Sequence, residues 1–176
     1  MLTLPDGTPG LMEVNLFALL RRYDGAHDAS LVYHEYAHGL TDRLVTDEQG
    51  FSTLFGHQPN ALAEGFSDFY ALDFLAESQP TEVPDTTVPG ELRFGEWLQR
   101  DPDRLIRTEG LDCAVDEAGP AGECPGTSTG GPGGYKYGDF GKVGLDDTES
   151  HDNGEIWGQT LWSLRTALMH LSLIHI

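Results

Sequence analysis

The chain has 176 residues, enough for one domain or for part of a larger protein. It carries 10 Lys and Arg residues against 29 Asp and Glu residues, a formal net charge of -19. Nucleic acids and anionic membrane surfaces are held by basic side chains, so this composition argues against both as partners. No apolar run reaches about 18 residues, as a membrane span requires. No signal peptide begins at Met1, so a secreted protein of this acidity would have further residues upstream.

Near the N-terminus, the pattern predicts an edge strand at 11–20 and a loop up to residue 23. A helix then follows, capped by Asp28 or Ser30 and ending near Leu44, because Asp and Ser favour the cap position. The apolar positions of this helix recur at helical spacing and are Leu31, Ala37, Leu40 and Leu44.

A second helix is predicted to open at Pro59, with Asn60 as its cap, and to run to about Glu77. Residues 79–147 are predicted to be irregular apart from a short helix at 91–99, because prolines and glycines interrupt them throughout.

A third helix is predicted within residues 148–171, beginning at Ser150. Asp152 and Glu155 have the spacing of a capping box. Its predicted apolar stripe is Ile156, Trp157, Leu161, Leu164 and Leu168. The chain ends without a helix cap, which indicates truncation or a tail at 172–176 that is not native to the domain.

Two cysteines, Cys113 and Cys124, flank a stretch rich in Gly and Pro. They form either a disulfide or two free thiols, and their spacing fits no zinc pattern. A disulfide would indicate an oxidising compartment.

A metal-binding pattern lies on the first predicted helix. His34 and His38 are four residues apart, so both imidazoles share one face, and Glu35 lies beside them. His-Glu-x-x-His on a helix is typical of zinc peptidases, with two His ligands and a Glu general base. Such a site needs a third protein ligand, and Glu64 on the second helix is the candidate. Asp68, one turn further, could accept a hydrogen bond from a ligand His. The alternative for both acids is ordinary solvent-facing charge on an amphipathic helix.

Four stretches together resemble the fungalysin metallopeptidases, which are secreted relatives of thermolysin. Residues 24–40 resemble the family's active-site helix, and 63–70 resemble its third-ligand motif, with Phe66 where Trp is usual. Residues 151–157 are similar to its segment His-x-x-Gly-Glu-x-Trp, and 135–139 to a stretch that precedes it. The resemblance implies a thermolysin-like zincin fold of the α+β class, mainly α here, with residues 1–176 forming part of a catalytic domain.

The resemblance also implies roles for single residues. His34, His38 and Glu64 would bind Zn²⁺, and Glu35 would act as the general base in peptide-bond hydrolysis. His151 would hydrogen-bond the oxyanion of the tetrahedral intermediate. The implied protein is a secreted endopeptidase with protein or peptide substrates and a propeptide.

The sequence also departs from the family pattern. No Tyr lies between His38 and Glu64, where thermolysin has an oxyanion donor, and the family's catalytic domain is longer than this chain. We therefore expect its N-terminal β-rich portion, its propeptide and its last helices to be missing here.

Two alternatives from another class remain at this stage. The first is an inactive, zinc-stabilised binding domain. The second is a calcium-binding extracellular module, with a Ca²⁺ site in the acidic stretch 139–152. Ca²⁺ prefers oxygen ligands, so His34 and His38 argue against calcium at the main site.

Overall fold

The computed structural model describes residues 11–12, 24–78, 88–99, 106–120, 122–144 and 148–171. Most of the predicted edge strand and the whole predicted tail at 172–176 lie outside the described residues. Within the described ranges the chain is mainly helical, as predicted. It has no β-strand in these ranges, only isolated bridges such as the antiparallel Thr46–Ser52 pair, so the β part of the α+β prediction is not confirmed.

Helix α1 spans Ala29–Leu44 and follows a 3-10 turn at Gly25–His27. Its N-cap is Asp28, one of the two predicted candidates, and the Asp28 carboxylate accepts hydrogen bonds from the backbone N–H groups of Ser30 and Leu31. The same carboxylate also accepts from Leu98 N, which ties the start of α1 to a later segment. The predicted apolar stripe is wrong at its end, because Leu40 and Leu44 are exposed.

Helix α2 spans His57–Ser78 and packs against both α1 and α4. It begins three residues before Asn60, so the predicted cap there is wrong. Pro59 is tolerated inside the helix because the N–H groups of a first turn have no intrahelical partner. Aromatic residues of the predicted second helix, Tyr70 and Phe74, are largely exposed, and small residues such as Ala61 and Ala71 are buried instead.

Helix α3 is a single turn at Glu96–Gln99, shorter than the helix predicted at 91–99. Helix α4 spans Ser150–His170. Its N-cap is Glu149, whose carboxylate accepts from Asp152 N at 2.8 Å. The predicted capping box of Asp152 and Glu155 is therefore wrong, because the Glu155 side chain points into the protein and is 3% exposed.

The predicted apolar stripe of α4 is also only partly right. Ile156 is buried, but Leu164 is exposed, and Trp162 takes its place in the core. The main buried cluster is Leu72, Leu92, Phe94, Leu111 and Trp162.

Glycines allow α2 and α4 to approach at backbone distance. A Cβ atom added at Gly65 would lie 2.5 Å from the carbonyl oxygen of Gly154 and 2.9 Å from Gly158 N. One added at Gly154 would lie 2.7 Å from the Cβ atom of Glu64. This close contact brings the start of α4 directly against the part of α2 that carries Glu64.

In the described parts of the region predicted to be irregular, the chain forms mostly turns and bends, with a 3-10 helix at Tyr137–Asp139. Cys113 and Cys124 form a disulfide there, and both are fully buried. Among the helices of the described ranges, none has the length and apolar character needed to cross a membrane.

Candidate metal centre

Three side chains from two helices converge on one point. His34 and His38 come from α1 and Glu64 comes from α2, and one potential ligand atom from each lies within 4.8 Å of the other two. His34 Nε2 is 3.1 Å from His38 Nε2 and 3.1 Å from Glu64 Oε2. Among the described residues, this is the group of His, Cys, Asp or Glu side chains able to hold a metal ion.

The ring of His34 is oriented by Asp68. His34 Nδ1 lies 2.7 Å from Asp68 Oδ1, and both side chains are almost fully buried. An ionised carboxylate only accepts hydrogen bonds, so Nδ1 carries the proton and its N–H donates a hydrogen bond to Asp68. In the neutral ring this leaves the lone pair of His34 on Nε2, which faces His38 and Glu64.

Arg107 in turn holds Asp68 in place. Its Nε is 2.6 Å from Asp68 Oδ2 and its Nη2 is 2.8 Å from Asp68 Oδ1, a bidentate pair. The guanidinium also lies over the ring of Phe94, 4.7 Å from the centroid. Burial alone would raise the pKa of Asp68, but the charge of Arg107 and the bond from His34 outweigh it and lower that pKa.

The Glu64 carboxylate is ionised for a similar reason. Burial would raise its pKa, but hydrogen bonds from His34 and His38 and the positive potential of His151 lower it strongly. Its Oε2 atom is buried and has no hydrogen-bond partner of good geometry among the described residues. A buried carboxylate oxygen of this kind is costly unless something positive binds it.

His34 responds to the same two acids. Burial disfavours its charged form, but the hydrogen bonds to Asp68 and Glu64 outweigh that and raise the pKa of His34 to about 9. Without a bound cation, the acids therefore attract a proton to the ring. A metal cation bound between these side chains would supply the positive charge near the acids instead of that proton.

His151 lies beside this group, and Glu35 is the chain neighbour of one of its members. Glu35 follows His34 on α1 and is partly exposed. His151 belongs to the first turn of α4, and its Nε2 is 3.4 Å from Glu64 Oε2. Its Nδ1 is 2.6 Å from Glu149 Oε1, so Glu149 both caps α4 and orients the His151 ring. The structure thus brings together His34, His38, Glu64, Asp68 and His151, and it places Glu35 next to His34 in α1.

The sequence did not predict Arg107 or Glu149 as site residues. It predicted Glu155 as part of a helix cap, whereas Glu155 is buried. Arg107 lies in a segment without helix or strand, and no local pattern marks it. Glu149 could have been found, because an acid directly before a helix rich in polar first-turn residues is a cap candidate.

The predicted calcium site is neither supported nor tested. Within the acidic stretch, Asp139 accepts hydrogen bonds from Thr127 Oγ1 and Lys136 N, while residues 145–147 lie outside the described ranges. The Ca²⁺ site stays a prediction.

The described part of the chain is thus a helical protein with a candidate metal centre. A histidine pair and a glutamate on two packed helices, with a second glutamate next to the first histidine, are the arrangement found in metallohydrolases. The chain belongs to the fungalysin metallopeptidase family (M36), which its residues 1–119 match. The resemblance seen in the sequence is thereby confirmed. The match includes His34, His38 and Glu64 and ends before His151.

Curated relatives that match the chain are named extracellular metalloproteinases. The chain is 33% identical to extracellular metalloproteinase 4 of Trichophyton rubrum over 104 residues, which is 58% of this chain and 15% of that protein. It is 34% identical to extracellular metalloproteinase 1 of Phaeosphaeria nodorum over 107 residues, 60% of this chain and 16% of that protein. It is 32% identical to extracellular metalloproteinase 4 of Trichophyton soudanense over 104 residues, which is 58% of this chain and 25% of that protein.

The matched region thus spans 15 to 25% of the length of these relatives. No solved structure matches the chain significantly.

Proposed function

We propose that this chain carries the catalytic centre of a zinc-dependent endopeptidase, with His34, His38 and Glu64 as the metal ligands. The observation that carries the proposal is the convergence of these three side chains, each with one potential ligand atom within 4.8 Å of the other two. Two imidazoles and one carboxylate form a common ligand set of catalytic zinc and leave one position free for water. Calcium would require mainly oxygen ligands.

The hydrogen bond between His34 and Asp68 supports this ligand set. Ligand histidines commonly donate their outer N–H to a carboxylate, which fixes the ring and strengthens the ligand nitrogen. His34 has this arrangement, with Nδ1 on Asp68 and Nε2 towards the cluster. Asp68 would therefore act on the metal through His34.

Glu35 would act as general base. Bound zinc lowers the pKa of water and polarises the carbonyl of a peptide bond. The Glu35 carboxylate would accept a proton from the attacking water and then deliver it to the leaving amine. Its place next to His34 on α1 and its partial exposure suit a group that must reach both substrate and solvent.

His151 would bind the developing oxyanion. The ring lies beside Glu64, yet its side chain is 48% exposed, so a bound substrate could reach it. Glu149 on Nδ1 holds the ring in place, and the oxyanion would accept a hydrogen bond from Nε2. Residues 24–78 and 148–171 would then form the catalytic part of a larger domain.

The wider protein would be a secreted enzyme that acts on proteins or peptides and is made with a propeptide. Relatives named extracellular metalloproteinases support this, and so does the disulfide between Cys113 and Cys124, since disulfides persist in oxidising compartments. The strong negative charge fits a protein that binds neither nucleic acid nor anionic membranes.

The test of the proposed chemistry uses Glu35→Gln in the zinc-loaded chain, with an unstructured protein such as casein as substrate. The amide cannot accept the proton, so we expect the variant to retain zinc and to lose hydrolysis. Hydrolysis by the variant at the wild-type rate would remove Glu35 from the role of base. Zinc binding without any hydrolysis, also in a longer chain that supplies the rest of the catalytic domain, would instead favour an inactive, zinc-stabilised domain.

A further inference from the structure

Glu155 on α4 is almost fully buried and contacts a segment without regular structure. Its Oε1 accepts a hydrogen bond from Thr108 N at 2.9 Å. Its Oε2 lies 2.9 Å from Thr108 Oγ1 and accepts from Glu109 N at 3.3 Å. One carboxyl group therefore fixes both the backbone and the side chain of this segment, at a position where the helix itself gains nothing from a buried acid.

The segment fixed by Glu155 begins with Arg107, the residue that holds Asp68. The two hydrogen bonds from Arg107 to Asp68 are 2.6 and 2.8 Å long, and Asp68 continues to His34 at 2.7 Å. Arg107 belongs to no helix or strand, so contacts of its neighbours determine where its guanidinium lies. Thr108, the next residue, is held by Glu155 through both its backbone N–H and its hydroxyl, and the hydroxyl also lies 2.6 Å from the Tyr135 hydroxyl.

We propose that Glu155 is a positioning residue for the metal centre, which it reaches through Thr108, Arg107, Asp68 and His34 in sequence. This inference rests on the proposed function, because it presumes that His34 is a metal ligand. Glu155 contacts no ligand itself. It sets the place of Arg107, and through Arg107 it sets the orientation of the carboxylate that fixes the His34 ring.

A general contribution to folding would be the competing explanation, and the chain offers a matched control. Glu109 is buried to the same extent as Glu155. Its carboxylate accepts from Gln159 Nε2 at 2.7 Å and from Gly126 N at 3.0 Å, contacts that lead away from Arg107. Replacing either acid by Leu removes a buried carboxyl group of equal size, but only one of the two changes touches the connection to His34.

The test measures the dissociation constant of zinc by competition with a chromophoric chelator, on folded protein at neutral pH. We expect Glu155→Leu to weaken zinc binding about tenfold, the lower end of the loss for outer partners of metal ligands. Glu109→Leu should lower the melting temperature to a similar degree and leave the zinc affinity near that of the wild type. Equal affinities in the two Leu variants would overturn the inference.

Two conservative changes sharpen the result. Glu155→Gln should recover most of the affinity, because its carbonyl accepts from Thr108 N and its amide donates to Thr108 Oγ1, while only the longer contact with Glu109 N is lost. If Glu155→Leu does not fold, Thr108→Val replaces it, with Thr108→Ser as control. The hydroxyl contacts with Glu155 and Tyr135 are lost only in the Val variant, so only that variant should bind zinc more weakly; Tyr135→Phe, which removes the Tyr135 contact alone, should keep the wild-type affinity. Equal affinities of the Val and Ser variants would overturn the inference.

The same measurement separates the two proposals. A wild-type chain that binds no zinc overturns the proposed function and this inference together. Zinc binding by the wild type, with no difference between the Glu155 and Glu109 variants, overturns this inference alone.

Discussion

Substituting Ala for Gly65 should separate the two helices that build the metal centre. The added Cβ atom would lie 2.5 Å from Gly154 O, 2.6 Å from Trp157 Cβ and 2.9 Å from Gly158 N. Ordinary van der Waals contact begins near 3.4 Å, and two of these three atoms are backbone, which cannot rotate away. Helix α4 must therefore move from α2 by about 1 Å.

The energetic cost follows from two opposing effects. Forcing an extra carbon into a packed contact costs up to about 3 kcal/mol, while Ala in place of Gly inside a helix returns about 1 kcal/mol. We expect a net loss of about 2 kcal/mol in the free energy of unfolding, or about 4–8 °C in melting temperature for a chain of this size. Glu64 precedes Gly65 directly, so zinc affinity should fall as well.

Urea denaturation of the metal-free chain measures the loss, with Gly138→Ala as the matched control. A Cβ atom at Gly138 would meet nothing within 4 Å, so that variant should match the wild type. A Gly65→Ala chain as stable as the wild type would refute the backbone contact between α2 and α4.

Two further predictions concern side chains of α4. Burial raises the pKa of Glu155 from 4.5 to about 8, although bonds from Thr108 oppose the shift. Its contribution to stability is therefore complete below pH 4.5 and is lost as the pH rises through 8. In urea denaturation of the metal-free protein, the free energy of unfolding of the wild type should fall between pH 4.5 and 8. It should fall less in Glu155→Gln, and equal declines in the two proteins would contradict this prediction. His151→Ala should lower kcat about 10²–10³-fold in steady-state peptide hydrolysis, whereas a loss confined to KM would indicate substrate positioning instead.

The ligand residues could be predicted from the sequence because their spacing is local. His34 and His38 share a helix face whatever the rest of the fold does, and the cap at Asp28 marks where that helix begins. Glu64 and Asp68 are likewise four residues apart and share a face of the next helix. These acids come close to the histidines of α1 as soon as the two neighbouring helices pack together.

The contacts around those ligands could not be predicted in the same way. Arg107 reaches Asp68 across 39 residues of sequence, from a segment with no periodic pattern. The exposure of Leu40 and Leu44 and the burial of Glu155 likewise depend on which neighbours cover each face. Helical periodicity identifies an apolar stripe, but the tertiary contacts decide how much of it is buried.

The most direct measurement is the zinc content of the purified chain by elemental analysis, after dialysis against a known free zinc concentration. We predict about one zinc per chain for the wild type, a clear loss of zinc in Glu64→Ala, and no loss in Glu77→Ala, which removes an exposed acid from the same helix. A wild-type chain without zinc, or one whose zinc is unaffected by the loss of Glu64, would contradict the three-ligand centre.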